Sequence, residues 1–277
     1  MKYLILGILV STYFSVKSQS IDSALIKCTY ELTYLPDSTK PDKFKKDILT
    51  LFVGRNTSLF FSYINFRADS AFKADIEEGN ITLDEVSKNK DLQKKYTKAG
   101  FYSNCFLLSN YQTNTIEITD RIGNDKYYYY EEIEKIKWII EPDTLTILGY
   151  ACQKAIATFR GRNYVSWFAS ELPINSGPYK FQGLPGLILE IMDTKNNYKY
   201  NCIGLEKLSN SKQLIVIEKN GYTKTSRIEF RKAFKASFDN PWQTLTGGGN
   251  ITISGPNVDQ MKAMLQKGIA YNPIELE

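Results

Sequence analysis

From Glu171 to Glu190 the chain reads ELPINSGPYKFQGLPGLILE. This stretch holds three of the nine prolines and three of the seventeen glycines. Proline fixes φ and glycine opens the left-handed region, so such a density marks a specified loop rather than slack chain. The loop feeds Leu187 to Met192, an apolar run that reads as a fully buried strand. Within it, Leu184-Pro185-Gly186-Leu187 fits a type II turn, with proline second and a glycine of positive φ third. Pro173 and the pair Gly177-Pro178 hold the approach extended or turned. Phe181, Leu184, Leu187, Ile188 and Leu189 would anchor this corner on apolar surface, with Gly183 completing the motif.

Working outward, the same two-residue alternation recurs. Residues 21–35, then Ile48–Val53 and Thr57–Ile64 around Gly54-Arg55-Asn56, predict a strand and a hairpin. Thr115–Arg121 and Lys126–Ile133 flank Gly123-Asn124 as a second hairpin. Thr144–Leu148, Cys152–Phe159 and Tyr164–Ala169 precede the loop, while Tyr198–Leu205 and Gln213–Glu218 follow its strand. Turns about every ten residues predict a mainly β (α+β) fold, built on a large curved antiparallel sheet in meander order, with a half-barrel as one form of it. Residues 68–100 are charged and sparsely apolar, and read as a helix or an excursion. SRIEFRKAFKASF, capped by Ser226, and Pro256–Lys267 predict two helices packed on one face of the sheet. No internal repeat or long linker divides residues 19–277, which read as a single β-rich domain.

The first residues, MKYLILGILVSTYFSVKSQS, join a cationic start to a short apolar stretch and a small-residue site, the pattern of a signal peptide over 1–18. Its removal takes Lys2 and Lys17 with it and lowers the formal charge from +5 to +3. The expected protein is exported, periplasmic or extracellular, and does not span a membrane once cleaved. Acidic and basic residues are interspersed, which argues against nucleic acid as a partner. Cys28, Cys105, Cys152 and Cys202 form no CxxC. Four cysteines allow three pairings, and Cys152 with Cys202, on strand-like runs either side of the loop, is the favoured disulfide.

There is no histidine. That removes Ser-His-Asp and Cys-His mechanisms, histidine bases and histidine-containing metal sites. No metal, cofactor or catalytic residue is expected. Carboxylate chemistry survives, with Glu131, Glu132, Asp143 and Glu190 as unmarked candidates. Gly183 and Gly186 lack the Lys-Ser/Thr ending of a phosphate loop. Tyr127–Tyr130 read as a strand with alternate rings facing core and solvent, and Trp138, Trp167 and Trp242 read first as packing residues. Trp167, Tyr179, Lys180 and Gln182 are the side chains that a rigid corner would present to a ligand or partner.

Gly183-Leu184-Pro185-Gly186-Leu187-Ile188, preceded by Gly149-Tyr150-Ala151-Cys152, FRGRNY over 159–164 and Trp167-Phe168-Ala169, resembles the GLPGLI family of secreted Bacteroidota proteins. The early FVGRNTSLFFS resembles that family's first hairpin. The resemblance implies export and carries no established reaction. It leads to the expectation of a non-enzymatic envelope protein that binds an apolar small molecule or a protein partner in a groove of the sheet. The alternatives are an accessory partner of an outer-membrane transporter and a histidine-free carboxylate hydrolase.

Overall fold

The computed structural model describes residues 22–82, 85, 91, 105–209, 213–247 and 252–276. The expected leader over 1–18 lies outside those residues, as does most of the charged segment 68–100 beyond residue 82. Among the described residues, no helix is long and apolar enough to cross a membrane.

Alternating side chains give the strands the sequence predicts, with a few additions. In chain order they are β1 (Asp22–Ser23), β2 (Ile26–Tyr34), β3 (Lys45–Val53), β4 (Thr57–Ser62), β5 (Phe106–Asn110), β6 (Thr115–Ile122), β7 (Asp125–Glu132), β8 (Ile139–Ile147), β9 (Tyr150–Phe159), β10 (Arg162–Ala169), β11 (Leu187–Asp193), β12 (Tyr198–Lys207), β13 (Leu214–Ile215) and β14 (Thr223–Lys224). The helices described here are α1 (Tyr63–Glu77), α2 (Arg227–Asp239), α3 (Pro241–Leu245) and α4 (Val258–Leu265). The second hairpin strand stops at Ser62, two residues short of expectation. The Ser62 side chain accepts the Asn65 N–H and caps α1 there, turning the chain helical earlier than its charge pattern suggests.

Twelve strands form one sheet in the order β14-β7-β6-β5-β4-β3-β2-β12-β11-β10-β9-β8, and β1 pairs with β13 apart from it. All pairings in the large sheet are antiparallel except β14 with β7. The meander is therefore two meanders, β2–β7 and β8–β12, stitched by a nine-pair ladder between β2 and β12. A flat sheet would hold β7 and β10 about 40 Å apart at about 4.8 Å per strand. Instead, Glu131 on β7 meets Arg160, in the turn between β9 and β10, at 3.4 Å. The sheet curls until its two ends approach, yet no ladder closes it into a barrel.

The inner face of this curl is the main core. Tyr30, Leu32, Tyr164, Phe168, Ile188 and Tyr200 are fully buried on it, and Phe181 and Leu184 of the loop press in from above. Helix α2 covers the β6–β7 end. Its first turn is locked by a capping box between Ser226 and Glu229, and Phe230 packs on Tyr127 and Tyr129. The tyrosine run does alternate, with Tyr129 buried and Tyr130 exposed. Ile228, within the predicted helix SRIEFRKAFKASF, points to solvent. Helices α3 and α4 bury no residue and stay peripheral. On the other face, Leu59, Phe61 and Phe106 make a smaller cluster with Phe66 of α1.

The loop at 171–190 departs from the expected turn. Gly186 does not take a positive φ; Gly183 does, at +99°, and so does Tyr179, at +56°. Gly186 is required for space, since a Cβ there would lie 2.2 Å from the Ala169 carbonyl oxygen. The close approach lets the loop fold back on the end of β10, where the Leu187 N–H donates to the Leu172 carbonyl at 2.9 Å.

Cys152 and Cys202 carry free thiols, as do Cys28 and Cys105. Cys152 rides on β9 and Cys202 on β12, and β10 and β11 run between those strands. The two strands are not paired with each other, and the Cys202 thiol feels the Cys152 thiol through space while both are free.

Candidate functional site

A cleft of about 400 Å³ opens between the inner face of β2–β7 and a roof made by α2 and the extended strap of residues 269–276. Each wall has a local cause. Inward positions of β2, β4 and β7 supply Tyr34, Phe60 and Tyr129, while helical spacing puts Phe230, Phe234 and Phe238 on one side of α2. Tyr271 of the strap stacks on Phe238, centroids 4.3 Å apart at 16°. Offset-stacked and edge-on rings dominate the lining, and the apolar surface is broken by a few polar groups.

The strap is held by its own hydrogen bonds. Ile269 N–H donates to the Phe238 carbonyl at 2.7 Å, and the Asn272 side chain donates to the Leu35 carbonyl at 2.7 Å. Arg162, buried on β10, donates from Nε to the carbonyls of Pro273 and Ile274 and pairs through Nη1 with Asp193 at 2.9 Å. Tyr198 donates its hydroxyl to the Asn272 carbonyl. These bonds deliver Glu275 to the lining of the cleft.

Glu275 is 2% exposed and surrounded by cations. Lys180 Nζ stands 2.7 Å from its Oε1 and 2.8 Å from Oε1 of Glu131, so one ammonium bridges two buried carboxylates. Arg227 and Arg231 reach Oε2 of Glu275 at 2.7 and 2.9 Å, and Tyr179 donates its hydroxyl to Oε1. Burial alone would raise the Glu275 carboxyl. Lys180, Tyr179 and Arg227 outweigh it and hold this carboxyl well below the usual range. Glu275 is thus held in the charged form, unsuited to exchanging a proton near neutral pH.

A further buried carboxyl lies behind the cleft wall. Asp47 of β3 is 1% exposed; its Oδ1 accepts from the Ile48 N–H and the Ser62 hydroxyl, and its Oδ2 has no partner. Burial pushes it up to about 6, against the opposing pull of those two hydrogen bonds.

Of the residues proposed from sequence, the structure brings Tyr179 and Lys180 together in the cleft. Gln182 is buried, and its carbonyl accepts the Trp138 indole N–H at 2.8 Å, which seats the loop. Trp167 is part-buried on β10 opposite Lys154 and Glu190, away from Tyr179. Pro173, Gly177, Pro178, Gly183, Leu184, Pro185 and Gly186 shape the loop; a Cβ on Gly177 would meet Ile188 at 2.8 Å. The four candidate carboxylates stand apart. Glu131 joins the Lys180 cluster, Asp143 pairs with Lys154, Glu190 pairs with Lys199 and Glu132 is exposed. Glu275, Arg227 and Arg231 were missed, because nothing local marks a glutamate that reaches its lysine across 95 residues.

Residues 84–232 match the family model described as "N-glycanase peptide, N-terminal domain". A search of curated proteins gives no match. Among solved structures, two crystal forms of PNGF-II are similar in shape. The first has a TM-score of 0.49 at 12% identity, covering 77% of this chain and 33% of that one. The second has a TM-score of 0.49 at 13% identity, covering 78% and 34%. This chain therefore spans about a third of the length of PNGF-II.

The family match replaces the GLPGLI resemblance. Much of the quoted motif is accounted for by packing, at Gly186 against Ala169 and at Phe181 and Leu184 in the core. The expectation of a non-enzymatic envelope protein falls with it, along with its accessory-partner alternative, since the matched family is named for an N-glycanase.

Proposed function

The chain belongs to the family of the N-glycanase peptide N-terminal domain, and on that premise we propose that it works in N-glycanase-type processing of N-linked glycans, its cleft holding a saccharide of the substrate. The observation that carries this reading is the lining of the cleft, in which Tyr34, Phe234, Phe238 and Tyr271 offer ring surfaces beside a few hydrogen-bonding groups. A pyranose ring has the complementary make-up, with apolar C–H faces that lie on aromatic rings and equatorial polar groups that seek donors and acceptors. Glu131 and Glu275 at that end of the cleft are ion-paired with Lys180 and Arg227. The reading asks for a chain that meets glycoproteins outside the cytoplasm, periplasmic or extracellular, in keeping with the leader expected over 1–18.

Incubating the purified full chain with an N-glycosylated protein, and following its mass, tests release; titrating released glycans against intrinsic fluorescence tests holding. Glycan release, or saturable binding that Phe234→Ala weakens, supports the reading. Neither release nor binding removes it.

A further inference from the structure

The charges around the cleft say which saccharides it admits. Five charged side chains line it: Lys45, Asp120, Lys180, Arg231 and Glu275. Lys180 is divided between Glu131 and Glu275, and Arg231 gives Nη1 to the Glu275 carboxylate and Nη2 to its backbone carbonyl at 3.0 Å. Lys45 and Asp120 each hold an interaction within the fold. The cation cluster is thus a carboxylate receptor already filled from within the chain, by Glu275.

Resting on the reading of the cleft as a saccharide site, we infer that it is built for an uncharged sugar and discriminates against one bearing a carboxylate, phosphate or sulfate. An incoming anion would find the inner cations, Lys180 and Arg231, committed to Glu275, with Lys45 exposed at the rim. It would have to displace Glu275, which leaves that buried carboxylate short of partners, or enter an aromatic cleft unpaired. Either route costs several kcal/mol in a poorly hydrated site. A neutral sugar meets no such penalty, because its hydroxyls and acetamido group need hydrogen bonds rather than a counter-charge.

Chitobiose and the same disaccharide carrying one sulfate ester differ chiefly in charge, and calorimetric titration of the full chain with each is the test. The neutral sugar is expected to bind at least about tenfold more tightly, and Phe234→Ala to weaken it, which locates the binding in this cleft. Glu275→Gln, which releases Lys180, Arg227 and Arg231 from a full negative charge, is expected to narrow or reverse the preference. Equal or tighter binding of the sulfated sugar by the unaltered chain overturns the inference while leaving the cleft a saccharide site. Binding of neither sugar, or neutral binding indifferent to Phe234→Ala, overturns both. Since the deciding comparison uses the unaltered protein, it stands even if Glu275→Gln fails to fold.

Discussion

Lys180 and Glu275 meet at 2.7 Å, Nζ to Oε1, and this contact ties the loop before β11 to the strap that roofs the cleft. Both side chains are almost wholly buried, at 5% and 3% exposed. Removing one partner of such a pair leaves the other desolvated and unmatched. Lys180→Met is therefore expected to cost about 3 kcal/mol, the lower end for buried pairs, because Arg227 and Arg231 still face Glu275. Chemical denaturation of wild type and variant checks it, and a loss below about 0.5 kcal/mol, typical of a surface pair, contradicts it.

Two glycines of one motif should respond differently to alanine. At Gly186 a methyl would sit 2.2 Å from the Ala169 carbonyl, and backbone must move, so Gly186→Ala is expected to cost about 3 kcal/mol or to prevent folding. At Gly183 the nearest atom would be the Trp138 indole nitrogen at 3.5 Å, and only the positive φ opposes a side chain. Gly183→Ala should cost about 1–2 kcal/mol. Thermal melts of the two variants give the ranking.

How much of this was legible in the sequence follows from the range of each interaction. The tyrosine alternation at 127–130, the cap at Ser226 and the Phe230, Phe234, Phe238 stripe are set within a few residues, and a single chain displays them. The turn at Leu184–Leu187 fits the type II pattern equally locally, yet there the pattern misled: Gly186 answers to Ala169, a contact visible only once β10 is placed. The ladder between β2 and β12 and the salt bridge from Lys180 to Glu275 join positions far apart in sequence. No periodicity encodes them, which is why Tyr179 and Lys180 could be singled out while Arg227, Arg231 and Glu275 were not.

Two carboxyls should give opposing pH dependences. Glu275 titrates below its ordinary value when folded, so its stabilisation is present above about pH 4.5 and is lost as pH falls further. Asp47 titrates at about 6 when folded against 3.8 for the ordinary group, so the folded state holds its proton more tightly and stability falls as pH rises across that interval. Asp47→Asn removes this second dependence. Relative to wild type, the variant should gain about 2 kcal/mol between about pH 4 and about pH 7, whatever constant offset the amide introduces. Denaturation midpoints at several pH values read the slope directly, and parallel curves for the two proteins would refute the assignment.

Thiol chemistry checks the state of the cysteines. With Cys152 and Cys202 both carrying free thiols, no native disulfide links the pair, and all four cysteines should react with a thiol reagent once the chain is unfolded without reductant. In the folded protein Cys28, Cys152 and Cys202 are at most 2% exposed, and burial is the leading cause that raises each of their thiols, to about 11 for Cys202. Only Cys105, which is part-exposed and lines the cleft, should label in the native state. Since it borders the cleft proposed to hold a saccharide, a sugar bound there should slow that labelling. Two reactive thiols rather than four after unfolding would mean that a disulfide forms after all.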